Sequence, residues 1–153
     1  MTTHQPVLPL DESGHRDVAA MLARFDHRYT SGRRRLVEVL GQAGRPVTLP
    51  EVLSLDGTFS QSSVYRNLDV LERSGVIHRV VTGGEYAHFE LAEPLLGHHH
   101  HLICVRCATV VDIALDDQVE KTVDDALAAV ARKEGFTPLH HSLDLHGHCA
   151  DCV

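Results

Sequence analysis

The sequence predicts an α+β chain in two parts: an N-terminal winged helix-turn-helix DNA-binding domain and a C-terminal α/β domain clipped by a structural zinc on four cysteines. Three observations predict it. Helical periodicity stops at Gly75, and two strand-like runs follow with Thr82-Gly83-Gly84 between them. The chain's four cysteines stand in two pairs, Cys104-Val-Arg-Cys107 and Cys149-Ala-Asp-Cys152, each with a two-residue gap. Charge also divides between the halves. Residues 24–79 hold nine arginines against six acidic residues, net +3, while residues 92–153 hold four basic against ten acidic, net -6.

The elements follow in order. Residues 1–14 contain two prolines, Pro6 and Pro9, and no periodicity, and read as a flexible arm. Asp17 to Arg24 reads as a short helix. Thr30 or Ser31 can cap a second helix, with Leu36, Val37 and Leu40 at helical spacing. Gly41 to Pro46 interrupts it, and Leu49 to Leu55 forms a short third helix ended by Asp56-Gly57. Ser60 can cap a fourth helix with the apolar stripe Val64, Leu68 and Leu71. Val76–Val81 and Glu85–Leu91 then form a β-hairpin wing. This places the winged-helix domain at 15–91, a hinge at 92–97 and the second domain at 98–153. In that second domain Leu102–Cys104, Val110–Ile113 and Leu139–Leu145 read as strands. Asp116 caps a helix to Glu134.

The fourth helix is the candidate reading head. Ser62 and Ser63 can bond phosphates, and Tyr65 and Arg66 can reach phosphate or base edges. Thr30 and the run Arg33-Arg34-Arg35 can hold the DNA backbone. The net charge of -7 alone argues against a nucleic-acid binder, but the basic front half removes that objection. No apolar run is long enough to span a membrane, and the N-terminus carries no secretory signal, so a cytoplasmic protein with reduced thiols is expected. A C-x-x-C knuckle lets two sulfurs reach one tetrahedral ion. Two knuckles make a closed zinc (Zn2+) shell of Cys104, Cys107, Cys149 and Cys152. With aromatics at 5% and no tryptophan, a small core gains from such a staple.

His98-His99-His100-His101 precedes the first knuckle. On a strand, alternate side chains face opposite ways, so His99 and His101 share one face and His98 and His100 the other. One block can therefore feed two metal sites. His78 and His88, with Glu90 nearby on the wing, are candidate partners for one. Glu120 and His141 are candidates for the other.

Thr30-x-x-Arg33, Ser63-Val-Tyr-Arg66, the histidine block with Leu-Ile-Cys-x-x-Cys107, and His141-Ser-Leu with Gly147-His-Cys-x-x-Cys152 together resemble the ferric uptake regulator family. The likeness covers roughly residues 17–152. It implies a homodimeric, metal-dependent transcription regulator that binds a palindromic double-stranded operator, with residues 98–153 as the dimerisation domain. It implies structural zinc on the four cysteines, a sensing site at the hinge using His99 and His101, and a second site from His98, His100, Glu120 and His141. Members sensing iron or peroxide commonly place a histidine in the loop after the second helix. Here that stretch is Gly44-Arg-Pro-Val47, without one. Asp112 matches a carboxylate that joins the sensing site in such members. The zinc uptake regulator branch instead draws a ligand from the start of the wing, where this chain has His78. Near the wing's end it offers His88 or Glu90.

A set of His78, His88, His99 and His101 suits zinc. The expected function is thus a zinc-responsive repressor of metal-uptake genes, with Fe2+, Mn2+, Ni2+ or peroxide sensing as alternatives within the family. A metal-dependent hydrolase or a metal-storage protein are the alternatives outside it. Neither explains a basic, hairpin-bearing front domain, and no enzymatic activity is expected.

Overall fold

Side chains cap every helix of the front half. The computed structural model describes residues 9–153. Asp11 accepts from the Gly14 amide and opens α1, Glu12–Ala23. Thr30 accepts from Arg33 N and opens α2, Ser31–Ala43, which Gly44 closes in the left-handed region at φ 65°. After β1, Val47–Thr48, a reciprocal Thr48–Glu51 capping box starts α3, Leu49–Leu55. Ser60 caps α4, Gln61–Arg73. The wing is β2, Ile77–Val80, and β3, His88–Leu91.

Burial explains why these elements pack as they do. Val18 and Leu22 of α1, Leu36, Val37 and Leu40 of α2, and Val64, Leu68 and Leu71 of α4 converge on one core. Val76, Ile77, Phe89 and Leu91 close it from the wing side. The wing is a three-stranded sheet ordered β1-β3-β2, with β3 antiparallel to both neighbours. The strand β1 is too short to show a period of two, and its pairing with Phe89 and His88 is a tertiary event. The helix α1 begins at Glu12, inside the span expected to be an arm, because Asp11 supplies its cap. The rest of that expectation, residues 1–8, lies outside the described residues.

The hinge span holds one short helical turn, α5, Glu93–Leu96, ended by Gly97 at φ 87°. Then come β4, His100–Cys104, β5, Val110–Ile113, α6, Asp117–Lys133, and β6, Asp144–Gly147. The second sheet is ordered β5-β4-β6, with β4 antiparallel to β5 and parallel to β6. The last strand starts later than its apolar alternation suggests. Leu139 is 93% exposed, and ahead of Asp144 the backbone makes a single bond to the sheet, His101 N donating to Leu143 O at 3.1 Å, so residues 139–143 are not strand. No residue of α6 is buried, and its Val119, Leu127 and Val130 are all exposed.

Two apolar contacts help to join the halves. Val80 of the wing packs with Ile103 of β4 and Val110 of β5. At the wing tip Gly84 meets Ala108 of the first knuckle so closely that a Cβ on Gly84 would lie 2.6 Å from the Ala108 Cβ.

Candidate metal centres and nucleic-acid interface

The four thiols meet because β4 ends in the first knuckle and β6 runs parallel beside it into the second. Backbone Val105 N donates to Gly147 O, which locks the two together. All four Sγ atoms lie within 4.8 Å of one another, and Cys107 Sγ is 3.7 Å from Cys149 Sγ. A tetrahedral ion bonded to sulfur at about 2.3 Å spaces its sulfurs about 3.8 Å apart, so this cage fits zinc. The amides of Cys107, Cys149 and Arg106 point at Cys104 Sγ and hold its pKa down to about 5. Crowding by Cys149 pushes Cys152 up to about 12. Four thiolates cannot all ionise at such range without a central cation, which is what this donor set calls for.

The alternation of β4 separates the histidine block as its parity requires. Glu90, His99, His101 and Asp112 form one group of donor atoms within 4.8 Å; His98, His100, Glu120 and His141 form another. In the first, Glu90 comes from β3 of the wing and the other three from the back half. Its Oε2 lies 3.1 Å from His99 Nε2 and its Oε1 lies 2.9 Å from His101 Nε2. Asp112 stands opposite His101 in the β4–β5 register, with Oδ1 3.9 Å from Nε2. Glu90 is 3% exposed and His101 6%, so this is charge held out of water. Burial pushes the Glu90 carboxyl up, but hydrogen bonds from His101 and His99 outweigh it and leave it low. The Glu90 carboxylate, the Gly97 carbonyl and the Asp112 charge, against the effect of burial, raise His99 to about 9.

In the second group His98 Nε2 and His100 Nε2 each lie 3.0 Å from one oxygen of Glu120. His141 Nε2 lies 2.9 Å from Glu120 Oε1 but out of line for a hydrogen bond, so that buried nitrogen is unbonded among the described residues. Convergent Nε2 atoms around carboxylates, one of them left without a proton partner, fit a first-row divalent ion.

The expected four-imidazole set does not assemble. His78 stands opposite Glu90 in the β2–β3 register but is exposed and outside the cluster. His88 is buried opposite Thr48 and Val80, with Nδ1 unbonded among the described residues, and also stays outside. Burial lowers its pKa, as for a core histidine kept neutral. Between the two wing candidates, His88 and Glu90, the geometry brings Glu90 to the site. Asp112 falls in the same group of donors, and the loop after α2 carries Arg45, whose guanidinium pairs with Glu51. Sequence parity alone could not place Asp112, because its register opposite His101 is set by the Val105–Thr109 turn.

At the reading head α4 exposes Ser62, Tyr65 and Arg66. Five of the nine arginines in residues 24–79, Arg34, Arg35, Arg45, Arg73 and Arg79, are already paired with carboxylates. Arg33 is half-buried and folds back on its own chain, with Nη1 donating to Arg28 O at 2.6 Å. The Arg33-Arg34-Arg35 run is therefore largely committed within the chain. Arg66 makes no ion pair among the described residues and stands free on the exposed face. Thr30 spends its oxygen on the α2 cap, leaving its hydroxyl hydrogen for a phosphate.

No described helix is long and apolar enough to cross a membrane. The sequence profile of the Ferric uptake regulator family matches residues 25–146. The ferric uptake regulation protein of Synechococcus elongatus is 34% identical over 101 residues, covering 66% of this chain and 65% of that protein. Its counterpart in Escherichia coli K12 is 30% identical over 129 residues, covering 81% of this chain and 82% of that one. The ferric uptake regulator of Pseudomonas aeruginosa, solved with manganese, is 25% identical with a TM-score of 0.66, covering 86% of this chain and 96% of that one. A profile match over most of the length, with relatives at 30% identity or better, means that this chain belongs to the ferric uptake regulator family, whose members are metal-responsive transcription regulators and not enzymes.

Proposed function

We propose that this chain is a homodimeric repressor of metal-uptake genes that senses its ion at Glu90, His99, His101 and Asp112, with structural zinc on Cys104, Cys107, Cys149 and Cys152. The observation that carries the reading is that one donor cluster takes Glu90 from the wing and its other members from the back half. A bound divalent ion supplies positive charge shared by the two halves. The residues then do the rest: Glu90 ties the wing to β4, and the angle between reading head and dimer is set. A coupling of about 1–3 kcal/mol would change operator affinity roughly 5- to 150-fold.

The expectation of zinc sensing rests on an imidazole set, His78, His88, His99 and His101, that does not assemble. Two imidazoles, two carboxylates and no sulfur favour a harder ion, and we read it as iron(II) or manganese(II). The manganese in the Pseudomonas relative supports the same choice. Zinc is the second reading, because four donors are all that a tetrahedral ion needs. The dimer surface is the apolar stripe of α6, Val119, Leu127 and Val130, together with the free edge of β6, both open in the single chain. Ser62, Ser63, Tyr65 and Arg66 meet the operator, with Thr30 on its backbone.

The test is a DNA-retardation titration with iron(II), manganese(II), zinc and nickel(II) supplied separately to protein that keeps its structural zinc. Iron or manganese should tighten binding first. His99→Ala should abolish the response while leaving a folded dimer. Full metal dependence in that variant would show the sensing site to be elsewhere.

A further inference from the structure

The imidazoles of the two clusters share a feature beyond their convergent Nε2 atoms. Three of the five have the other nitrogen, Nδ1, hydrogen-bonded from outside, and a fourth, that of His141, lies close to a carboxylate. His99 Nδ1 faces Gly97 O at 3.0 Å, His98 Nδ1 faces Glu93 Oε1 at 2.8 Å, His141 Nδ1 faces Asp124 Oδ1 at 3.0 Å, and His101 Nδ1 faces Asp144 Oδ1 at 2.9 Å. Among these acceptors Asp144 occupies a distinctive place. In the second sheet Asp112, His101 and Asp144 stand side by side in register on β5, β4 and β6. Asp112 lies on the Nε2 side of the ring, among the cluster donors; Asp144 lies on the Nδ1 side and outside the cluster.

We propose that Asp144 is a positioning residue for the hinge site: by holding His101 Nδ1–H it keeps Nε2 free for the ion, and it ties that ligand to the strand at the open edge of the sheet. The proposal deepens the sensing role given above to Glu90, His99, His101 and Asp112 and rests on it. A neutral imidazole has one N–H, and a hydrogen bond at one nitrogen decides that the other presents its lone pair. A carboxylate at Nδ1 also makes Nε2 more basic and fixes the ring's rotation. Without Asp144 the ring gains the opposite tautomer, in which Nε2 carries the proton and cannot ligate. Asp144 is well placed for this and poorly placed for a purely structural role. Its side chain is 41% exposed and every residue of β6 is exposed, so nothing packs on it that a shorter side chain would leave unfilled. The β4–β6 pairing is made by backbone groups, which a substitution at 144 leaves in place.

The experiment compares the wild type, Asp144→Ala, Asp144→Glu and His99→Ala, each retaining structural zinc. Manganese(II) affinity at the hinge site is read by electron paramagnetic resonance, and the His101 tautomer by long-range 15N–1H correlation before manganese is added, at alkaline pH where the ring carries a single proton. Asp144→Ala should weaken hinge-site affinity about 10- to 100-fold and move His101 toward the Nε2–H tautomer, while Asp144→Glu restores both. Affinity at His98, His100, Glu120 and His141 should not change. If His99→Ala loses hinge-site manganese and Asp144→Ala keeps it at wild-type affinity, the positioning role is wrong and the sensing site stands. If both clusters weaken equally in Asp144→Ala, the effect is one of general structure and the proposal is overturned. Wild type without hinge-site manganese and zinc would sink both the sensing site and the role of Asp144.

Discussion

Raising the pH from about 7 to about 9 should tighten metal binding at the hinge cluster by roughly two orders of magnitude, and the reason lies in His99. Both of its ring nitrogens face acceptors, Gly97 O at 3.0 Å and Glu90 Oε2 at 3.1 Å, an arrangement that only the imidazolium satisfies. Its pKa is accordingly raised to about 9. A metal ion needs the Nε2 lone pair, so at least the His99 proton must leave on binding, and His101, which burial lowers but Glu90 and Asp144 raise on balance, adds to the effect. Each unit of pH below that pKa then costs about a factor of ten, or about 1.36 kcal/mol, and two units cost about 2.7 kcal/mol.

The assay is anaerobic competition of manganese(II) between the protein and a chelator of known proton dependence, on protein that keeps its structural zinc, with buffer proton uptake measured in parallel. Glu90→Gln serves as a control. It should bind weakly at every pH, with a shallower slope because the carboxylate holding the proton is gone. The same shift has a stability consequence whose sign is opposite. His99 is raised in the folded state, so its contribution to metal-free stability, about 3 kcal/mol, is complete below about pH 6.5 and lost as pH rises through about 9. Metal-free protein should therefore melt earlier at the alkaline end, where it binds metal best. Affinity that is flat between about pH 7 and 9, with no proton released, would refute the imidazolium–carboxylate account of this site.

Four further outcomes are expected. Cys104→Ser should lose structural zinc and unfold the back half, seen as loss of the metal by elemental analysis and of the dimer by sedimentation, because thiolate zinc supplies folding free energy directly. Gly84→Val should lift the wing tip from Ala108 at a cost of about 1–3 kcal/mol and speed amide exchange in β2 and β3, since no side chain fits in that gap. Arg66→Ala should weaken operator binding by about 1–3 kcal/mol without altering metal affinity, as measured by retardation and calorimetry. Leu127→Lys should yield monomers by light scattering, because a charge in the middle of the α6 stripe cannot be buried unpaired in a dimer.

Much of this molecule is legible along the chain. Helix ends are readable because caps are local: Thr30, Ser60 and Asp116 each bond an amide two or three residues on. The division of the histidine block into two faces is readable for the same kind of reason, since strand parity is a property of consecutive residues. Both knuckles carry their sulfur spacing within four residues. What fails are statements that depend on register between distant segments. His78 and His88 look equivalent to Glu90 as wing donors, yet cross-strand pairing and burial put only Glu90 against His99 and His101. The strand β1, the place of Asp112 opposite His101, and the late start of β6 belong to the same class.

By itself the sequence determined which residue types could bind metal, which face of each element they occupy, and that a basic reading head precedes a thiolate-clipped back half. Only the tertiary structure decided which donors meet. Coordination is a matter of a few ångströms between atoms tens of residues apart, and those distances are set by strand register and by the packing of Val80 on Ile103 and Val110, which no local periodicity encodes.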